Sequence, residues 1–259
     1  MDYEFIDIEV DSGLATLTLN RPAKRNAVNA KLHAELASVF GELSARQDVR
    51  VIVLTGAGSA FSAGGDIAYM EELIAEPAAR VRAIAEAKAI VLGVLDCPKP
   101  IVARVNGDAV GLGATLALFC DVVIADRDAK FADPHVLVAM AAGDGGALIW
   151  AQLIGVARAK KYLFTGEALR AEDAAGLGLI TEAVTGAELD ARVAWWTAFL
   201  ARKPREAILG TKAAINFSLR HFAEAALETS MAAEARCWTS PDFKEGVSAL
   251  RERRKPQFS

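Results

Sequence analysis

The chain has 259 residues, 53% of them hydrophobic and 24% charged, with a formal net charge of −4. That length fits one large domain or a core with an appendage, and the composition suits a folded globular protein. The acidic balance and the lack of a basic stripe argue against a nucleic-acid partner.

Cys97, Cys120 and Cys237 are odd in number and far apart, with no C-x-x-C. Neither a disulfide framework nor a zinc site is expected, and no metal is assigned. The N-terminal "MDYEFIDIEV" has no basic start followed by an apolar run, so no signal peptide is expected. The longest apolar run, between Asp108 and Asp121, is too short for a bilayer. The expected location is cytoplasmic, with no membrane partner.

"FIDIEV" and "LATLTL" alternate apolar and polar residues around "DSG" (11–13), which predicts a β-hairpin. Asn29 is a helix N-cap candidate, and Leu32, Leu36, Phe40 and Leu43 continue at helical spacing to about Arg46. "VIVL" (51–54), "IVARV" (101–105) and "VVIA" (122–125) read as buried strands. A helix is predicted from about Arg80 to Leu95, ended by "CPKP". From about Gly186 every stretch shows helical spacing, punctuated by Pro204 and Pro241. Strands alternating with helices predict an α/β core over 1–190 and a helical segment over 191–259. The tail "RERRKP" (251–256) reads either as cations offsetting a helix dipole or as an anion contact.

Two loops attract attention. "FSAGGDI" (61–67) and "NGDAVGLG" (106–113) each follow a buried strand and open a helix. Gly111 and Gly113 begin a G-x-G, but Leu116 stands where a dinucleotide fingerprint needs its third glycine, and no acid follows in strand context. If the loops converge, free backbone N–H groups there make a two-donor oxyanion hole; otherwise the glycines merely serve tight turns.

"RPAKRNAVN" (21–29), "FSAGGDI", "KPIVARVNGDAVGLG" (99–113), "LALFCDVVIADRDAKFADP" (116–134) and "LITEAV" (179–184) together resemble the enoyl-CoA hydratase/isomerase, or crotonase, superfamily. The resemblance implies a spiral of repeated β-β-α units with a helical C-terminal oligomerisation segment. It further implies a homotrimer or hexamer and an acyl-CoA thioester substrate. No separate cofactor is implied, because coenzyme A belongs to the substrate. Carried onto this chain, the oxyanion donors would be the N–H groups of Ala63 and Leu112. Lys24, Arg25, Ala27, Asp66 and Arg253 would meet coenzyme A, with Arg253 reaching a neighbouring subunit's.

The chain departs from the hydratases of this family. Thr115 and His135 stand at the positions of their two glutamates. A threonine hydroxyl can hold a water or a carbonyl but is no base near neutral pH. His135 has the right range to move protons, or serves as a structural histidine after Pro134. Asp144, in "AAGDGGALIW" (141–150), is an acid/base candidate among small and apolar neighbours, or an N-cap. Relatives in the isomerase and dehalogenase branches carry an aspartate one position earlier, at Gly143. Asp133 is expected to cap or to pair with a neighbour, and Trp195 and Trp196 to pack. The expected enzyme works through an enolate, with isomerase, lyase or hydrolase chemistry favoured over two-glutamate hydration. A hydratase with atypical residues and a non-catalytic acyl-CoA binder are the alternatives.

Overall fold

The computed structural model describes residues 3–259. The predicted hairpin forms from β1 (Ile6–Asp11) and β2 (Leu14–Leu19), pairing Asp11 with Leu14 around the tight turn. From β2 onward the main sheet is parallel, through β3 (Val51–Gly56), β4 (Ile101–Val105), β6 (Val122–Asp126) and β9 (Glu182–Val184), in the order β1-β2-β3-β4-β6-β9. A small second sheet joins β5 (Ala109–Val110), β7 (Lys130–Ala132) and β8 (Leu169–Arg170).

The continuous apolar runs of the central strands follow from burial on both faces. Ile52, Leu54, Ile101 and Ala103 point into the large core beneath α1 (Ala30–Ala45), α3 (Pro77–Asp96) and α4 (Leu112–Leu118). Val51, Val53, Val102, Val122 and Ile124 point the other way, onto Leu189 and Val193 of α8 (Gly186–Ala201). The alternation is the period of two of a β-strand, with helices on both sides.

Asn29 caps α1 as expected, its side chain accepting from the Leu32 N–H at 2.9 Å, and Leu32, Leu36, Phe40 and Leu43 are buried. The helix expected from Arg80 begins at Pro77, because proline at the first helical position needs no N–H partner. The apolar run after Gly113 does not stay helical; α4 stops at Leu118 and the chain turns into β6.

α2 (Ile67–Ala75) follows the first glycine loop, and α5 (Gly146–Ile154) follows Asp144. α6 (Val156–Thr165) and α7 (Ala171–Leu177) flank β8. Beyond α8 runs a single 33-residue helix, α9 (Arg205–Cys237), and then α10 (Pro241–Glu252). A boundary at 190 falls inside α8, and the sheet face beneath that helix is covered from both sides of the boundary. Ala223 and Leu227 of α9 likewise join the large core.

Trp196 donates to Glu182 at 2.8 Å and packs against the cluster between α8 and the sheet, as expected. Trp195 does not pack inside the chain: its side of α8 faces out, where its ring stacks on Phe199 and lies under Arg192. Cys97, Cys120 and Cys237 are all free thiols. No helix among the described residues is long and apolar enough to cross a membrane.

Asn26 holds the first glycine loop to the strands. It is fully buried, accepts from the Arg21 N–H at 2.9 Å, and donates to the carbonyls of Ala57 (2.9 Å) and Ala60 (2.8 Å). Its own carbonyl accepts from the Ser62 hydroxyl at 2.8 Å. Asn26→Ala strands one N–H and two carbonyls in the interior, and each unmet buried group costs on the order of 1–3 kcal/mol. Allowing for relaxation, we expect a loss of about 3 kcal/mol in urea denaturation; a loss within error of zero would show that the loop is held by other contacts.

Candidate active site

The two glycine loops converge because parallel neighbours β3 and β4 end on the same side of the sheet. Ser62 and Ala109 form a parallel bridge, with the Val110 N–H donating to the Ser62 carbonyl at 2.9 Å. On the other side, Val28 bridges Gly65: the Val28 N–H donates to the Gly64 carbonyl at 2.7 Å, and the Asp66 N–H to the Val28 carbonyl at 2.9 Å.

This pairing corrects one expected donor. The Ala63 N–H donates to the Arg25 carbonyl at 2.9 Å and is therefore spent inside the protein. Successive peptide groups in an extended segment point in opposite directions. With the Gly64 carbonyl and Asp66 N–H turned to Val28, the Gly65 N–H turns away and meets no acceptor among the described residues. The Leu112 N–H, at the first helical residue of α4, likewise has no acceptor among the described residues. Gly65 and Leu112 both line one cavity of about 400 Å³. Gly111, between the loops and His135, has φ +52° and ψ −124°, a conformation that favours glycine.

The wall opposite the loops is apolar. Tyr69 and Leu73 of α2, Ala83 and Ala87 of α3, Met231 of α9 and Trp238 line it, and together they belong to a second hydrophobic cluster closed by Phe243 and Val247 of α10. His33 of α1 also faces the cavity, its Nδ1 held by Glu86 at 2.6 Å.

The polar groups gather between loops and wall. β7 ends at Ala132; Asp133 follows it, and the short turn His135–Val138 comes next. Asp133 is buried and its Oδ1 is hydrogen-bonded to His135 Nδ1, so it pairs with a neighbour as the sequence suggested. Its Oδ2 has no hydrogen-bond partner. His135 Nε2 faces Asp144 Oδ2 at 3.7 Å. The Thr115 hydroxyl donates to Asp144 Oδ1 at 3.4 Å, and the Gly146 N–H reaches the same oxygen at 3.4 Å. The N-cap of α5 is Gly145, so Asp144 sits one residue outside the cap position. Asp144 and His135 line the cavity, whereas Thr115 lies behind Asp144.

Charge here is tightly constrained. Burial pulls the His135 ring toward neutrality, but the Asp133 and Asp144 carboxylates and the Asp133 hydrogen bond outweigh it and hold the ring protonated well above its usual range. For Asp144, burial pushes the carboxyl up, His135 pulls it back and Asp133 pushes it up again; the net result lies above the ordinary aspartate range.

Sequence reading missed Glu234. It is 5% exposed, lines the same cavity, and burial with the Asp144 charge pushes its carboxyl up to about 8. A signal existed: Ala223, Leu227 and Met231 form the buried stripe of α9, and Glu234 continues it toward Trp238. Asp133, His135 and Asp144 each offer an atom within 4.8 Å of the other two. Both nitrogens of His135 already face carboxylates, so the trio reads as an acid–base chain.

The coenzyme A candidates sit apart from the cavity wall. Lys24 is exposed, and Arg25 pairs with Asp108 at 2.9 Å. The Ala27 N–H donates to the Lys24 carbonyl at 3.0 Å. Asp66 caps α2, accepting from the Ala68 N–H at 3.0 Å, and pairs with Arg21 at 3.1 Å. Arg253 ends α10 in a left-handed conformation, and it is Arg254, held by Glu245 and Glu252, that reaches the cavity.

The sequence profile described as "Enoyl-CoA hydratase/isomerase" matches residues 9–259. A "Probable enoyl-CoA hydratase" of Rhodobacter capsulatus is 36% identical, over 100% of this chain and 99% of that protein. The "1,2-epoxyphenylacetyl-CoA isomerase" of Escherichia coli K12 is 34% identical, over 99% and 98%. The crystal structure of an enoyl-CoA hydratase/isomerase from Mycobacterium paratuberculosis superposes with a TM-score of 0.89 at 39% identity, covering 95% of this chain and 98% of that one. The converging glycine loops, the crotonase fold and the full-length similarity lead to one conclusion: this chain is an enzyme of the enoyl-CoA hydratase/isomerase family.

Proposed function

We propose that the protein moves a double bond within an acyl-CoA thioester, through an enolate whose oxygen is held by the N–H groups of Gly65 and Leu112. The observation that carries this reading is Asp144, a buried carboxyl at the cavity wall beside those two loops. Thioester α-protons become acidic only when the enolate oxygen is stabilised, and one well-placed donor is worth roughly 3 kcal/mol. Asp144 takes the α-proton. His135, fixed by Asp133, orients Asp144 and balances its charge. Thr115 positions Asp144 through its hydroxyl and carries no proton.

Isomerisation is favoured over two-glutamate hydration because the hydroxyl of Thr115 and the ring of His135 cannot serve as paired carboxylates. A lyase or hydrolase step on the same enolate shares this machinery. Coenzyme A would reach the site past the 22–27 turn and the α10 end, which supports contacts from Lys24, Arg25 and the Arg253–Arg254 region. The protein is proposed to work as a trimer or hexamer, since Trp195 on α8 and Ile215, Phe217 and Phe222 on α9 leave large apolar side chains uncovered.

Three outcomes are expected. First, in D2O the enzyme exchanges the α-protons of butyryl-CoA or phenylacetyl-CoA, followed by proton NMR, and Asp144→Asn slows this on the order of a hundredfold or more. No exchange by the wild-type enzyme with either thioester would leave a binding role instead. Second, the exchange rate rises with pH through a weakly acidic range. A base must be ionised, and Asp144 loses its proton later than an ordinary aspartate. A rate already flat from the normal aspartate range would remove Asp144 as the base. Third, light scattering at micromolar concentration gives three or six times the 27.4 kDa chain mass; a monomer would sink the assembly reading.

A further inference from the structure

Resting on the enolate reading above, we infer that Glu234 is the second proton-carrying group of this site, giving a proton to the γ-carbon of the acyl chain after Asp144 has taken one from the α-carbon. Glu234 comes from α9, remote in sequence from both glycine loops, and yet lines the cavity with Asp144 and His135.

The local packing is built around it. Ser230, one turn earlier on α9, donates its hydroxyl to the Gly143 carbonyl at 2.8 Å, which fastens the helix to the loop carrying Asp144. Gly143 has no side chain where one would collide: a Cβ there would lie 2.5 Å from Glu234 Oε2 and 2.6 Å from the Ser230 carbonyl. The loop therefore yields its own side-chain space at 143 to the carboxyl of Glu234.

That carboxyl is 95% buried, and Oε2 has no hydrogen-bond partner. A bare carboxylate in such a place is costly, and no lysine or arginine pairs with it among the described residues. The groups facing it are Asp144 before α5, His135 and Asp133 after β7, and Tyr69 of α2. Burial comes first and the Asp144 charge second in favouring the protonated form; His135 and the Gly143 N–H pull the other way and are outweighed. Glu234 thus holds a proton at neutral pH.

Asp144 carboxylate removes the α-proton of a 3-enoyl thioester, and the C–H electrons flow into the dienolate. The Glu234 carboxylic O–H then breaks, its proton bonds the γ-carbon, and the electrons return from the oxygen to close the α,β double bond. Asp144 is left protonated and Glu234 ionised, and one proton passing from Asp144 to Glu234 restores the enzyme.

The test has two independent arms. Infrared titration of the free enzyme in D2O should show a protonated carboxyl band at neutral pH that disappears in Glu234→Gln; a band unchanged in that variant overturns the inference. In kinetics with 3-hexenoyl-CoA, followed by absorbance of the 2-enoyl product, Glu234→Gln should lose on the order of a hundredfold, while butyryl-CoA α-exchange through Asp144 continues. The wild-type pH profile should fall above about 8, and Glu234→Asp should recover part of the rate with that fall displaced. Wild-type isomerisation by Glu234→Gln, or equal loss of exchange and isomerisation with thioester binding intact, overturns the second-carrier role. Absence of α-exchange in the wild-type enzyme would instead count against the enolate reading, and the infrared arm then decides the proton on Glu234 alone.

Discussion

A carboxylate taken out of water needs a cation or a proton, and at the cavity wall the His135 imidazole stands among the carboxyl groups of Asp133, Asp144 and Glu234. Asp133 and His135 share a direct hydrogen bond through Oδ1 and Nδ1. Asp144 and Glu234 remain, on an apolar wall, each raising the cost of ionising the other. Two groups in that position cannot both be charged cheaply. Burial therefore favours keeping a proton on one of them, which raises both carboxyls above their ordinary ranges.

The same economy explains why helices far along the chain belong to the site. Apolar surface must cover the carboxyls if their protons are to be retained. Met231 and Trp238 supply it from the α9 region, and Phe243 and Val247 of α10 seal the cluster from behind. The side formed by the glycine loops is built by the opposite principle. There the loops that follow neighbouring parallel strands leave the backbone N–H groups of Gly65 and Leu112 without an acceptor among the described residues. A developing enolate would lie between a surface rich in donors and a wall that keeps water away, where each donor acts at low dielectric.

Much of the frame was legible in the residues. The hairpin turn at 11–13, the Asn29 cap and the three apolar strands depend on local chemistry: left-handed turn residues, a side-chain acceptor for free helix N–H groups, and two-sided burial. The convergence of the two glycine loops was also legible, because each follows a buried strand and parallel strands end together. Asp144 and His135 stood out by residue type against a small, apolar background.

Pairing between distant segments decided the rest. Ala63 and Gly65 look equally suitable as donors in "FSAGGDI"; only the carbonyl of Arg25 and the bridge at Val28 determine which N–H is spent. Arg253 and Arg254 differ by one residue, and the left-handed end of α10 turns the second toward the cavity. Glu234 shares α9 with Glu224 and Glu228, which face water, and its place on the buried stripe acquires meaning only when α9 lies against Gly143. Sequence by itself determined the hairpin, the three central strands, the Asn29 cap and the candidates Asp144 and His135, since these follow from nearest neighbours, periodicity and residue type. Which N–H groups stay free and which carboxyl is driven to keep a proton are set by hydrogen bonds and desolvation across the fold, and those exist only once the chain has closed on itself.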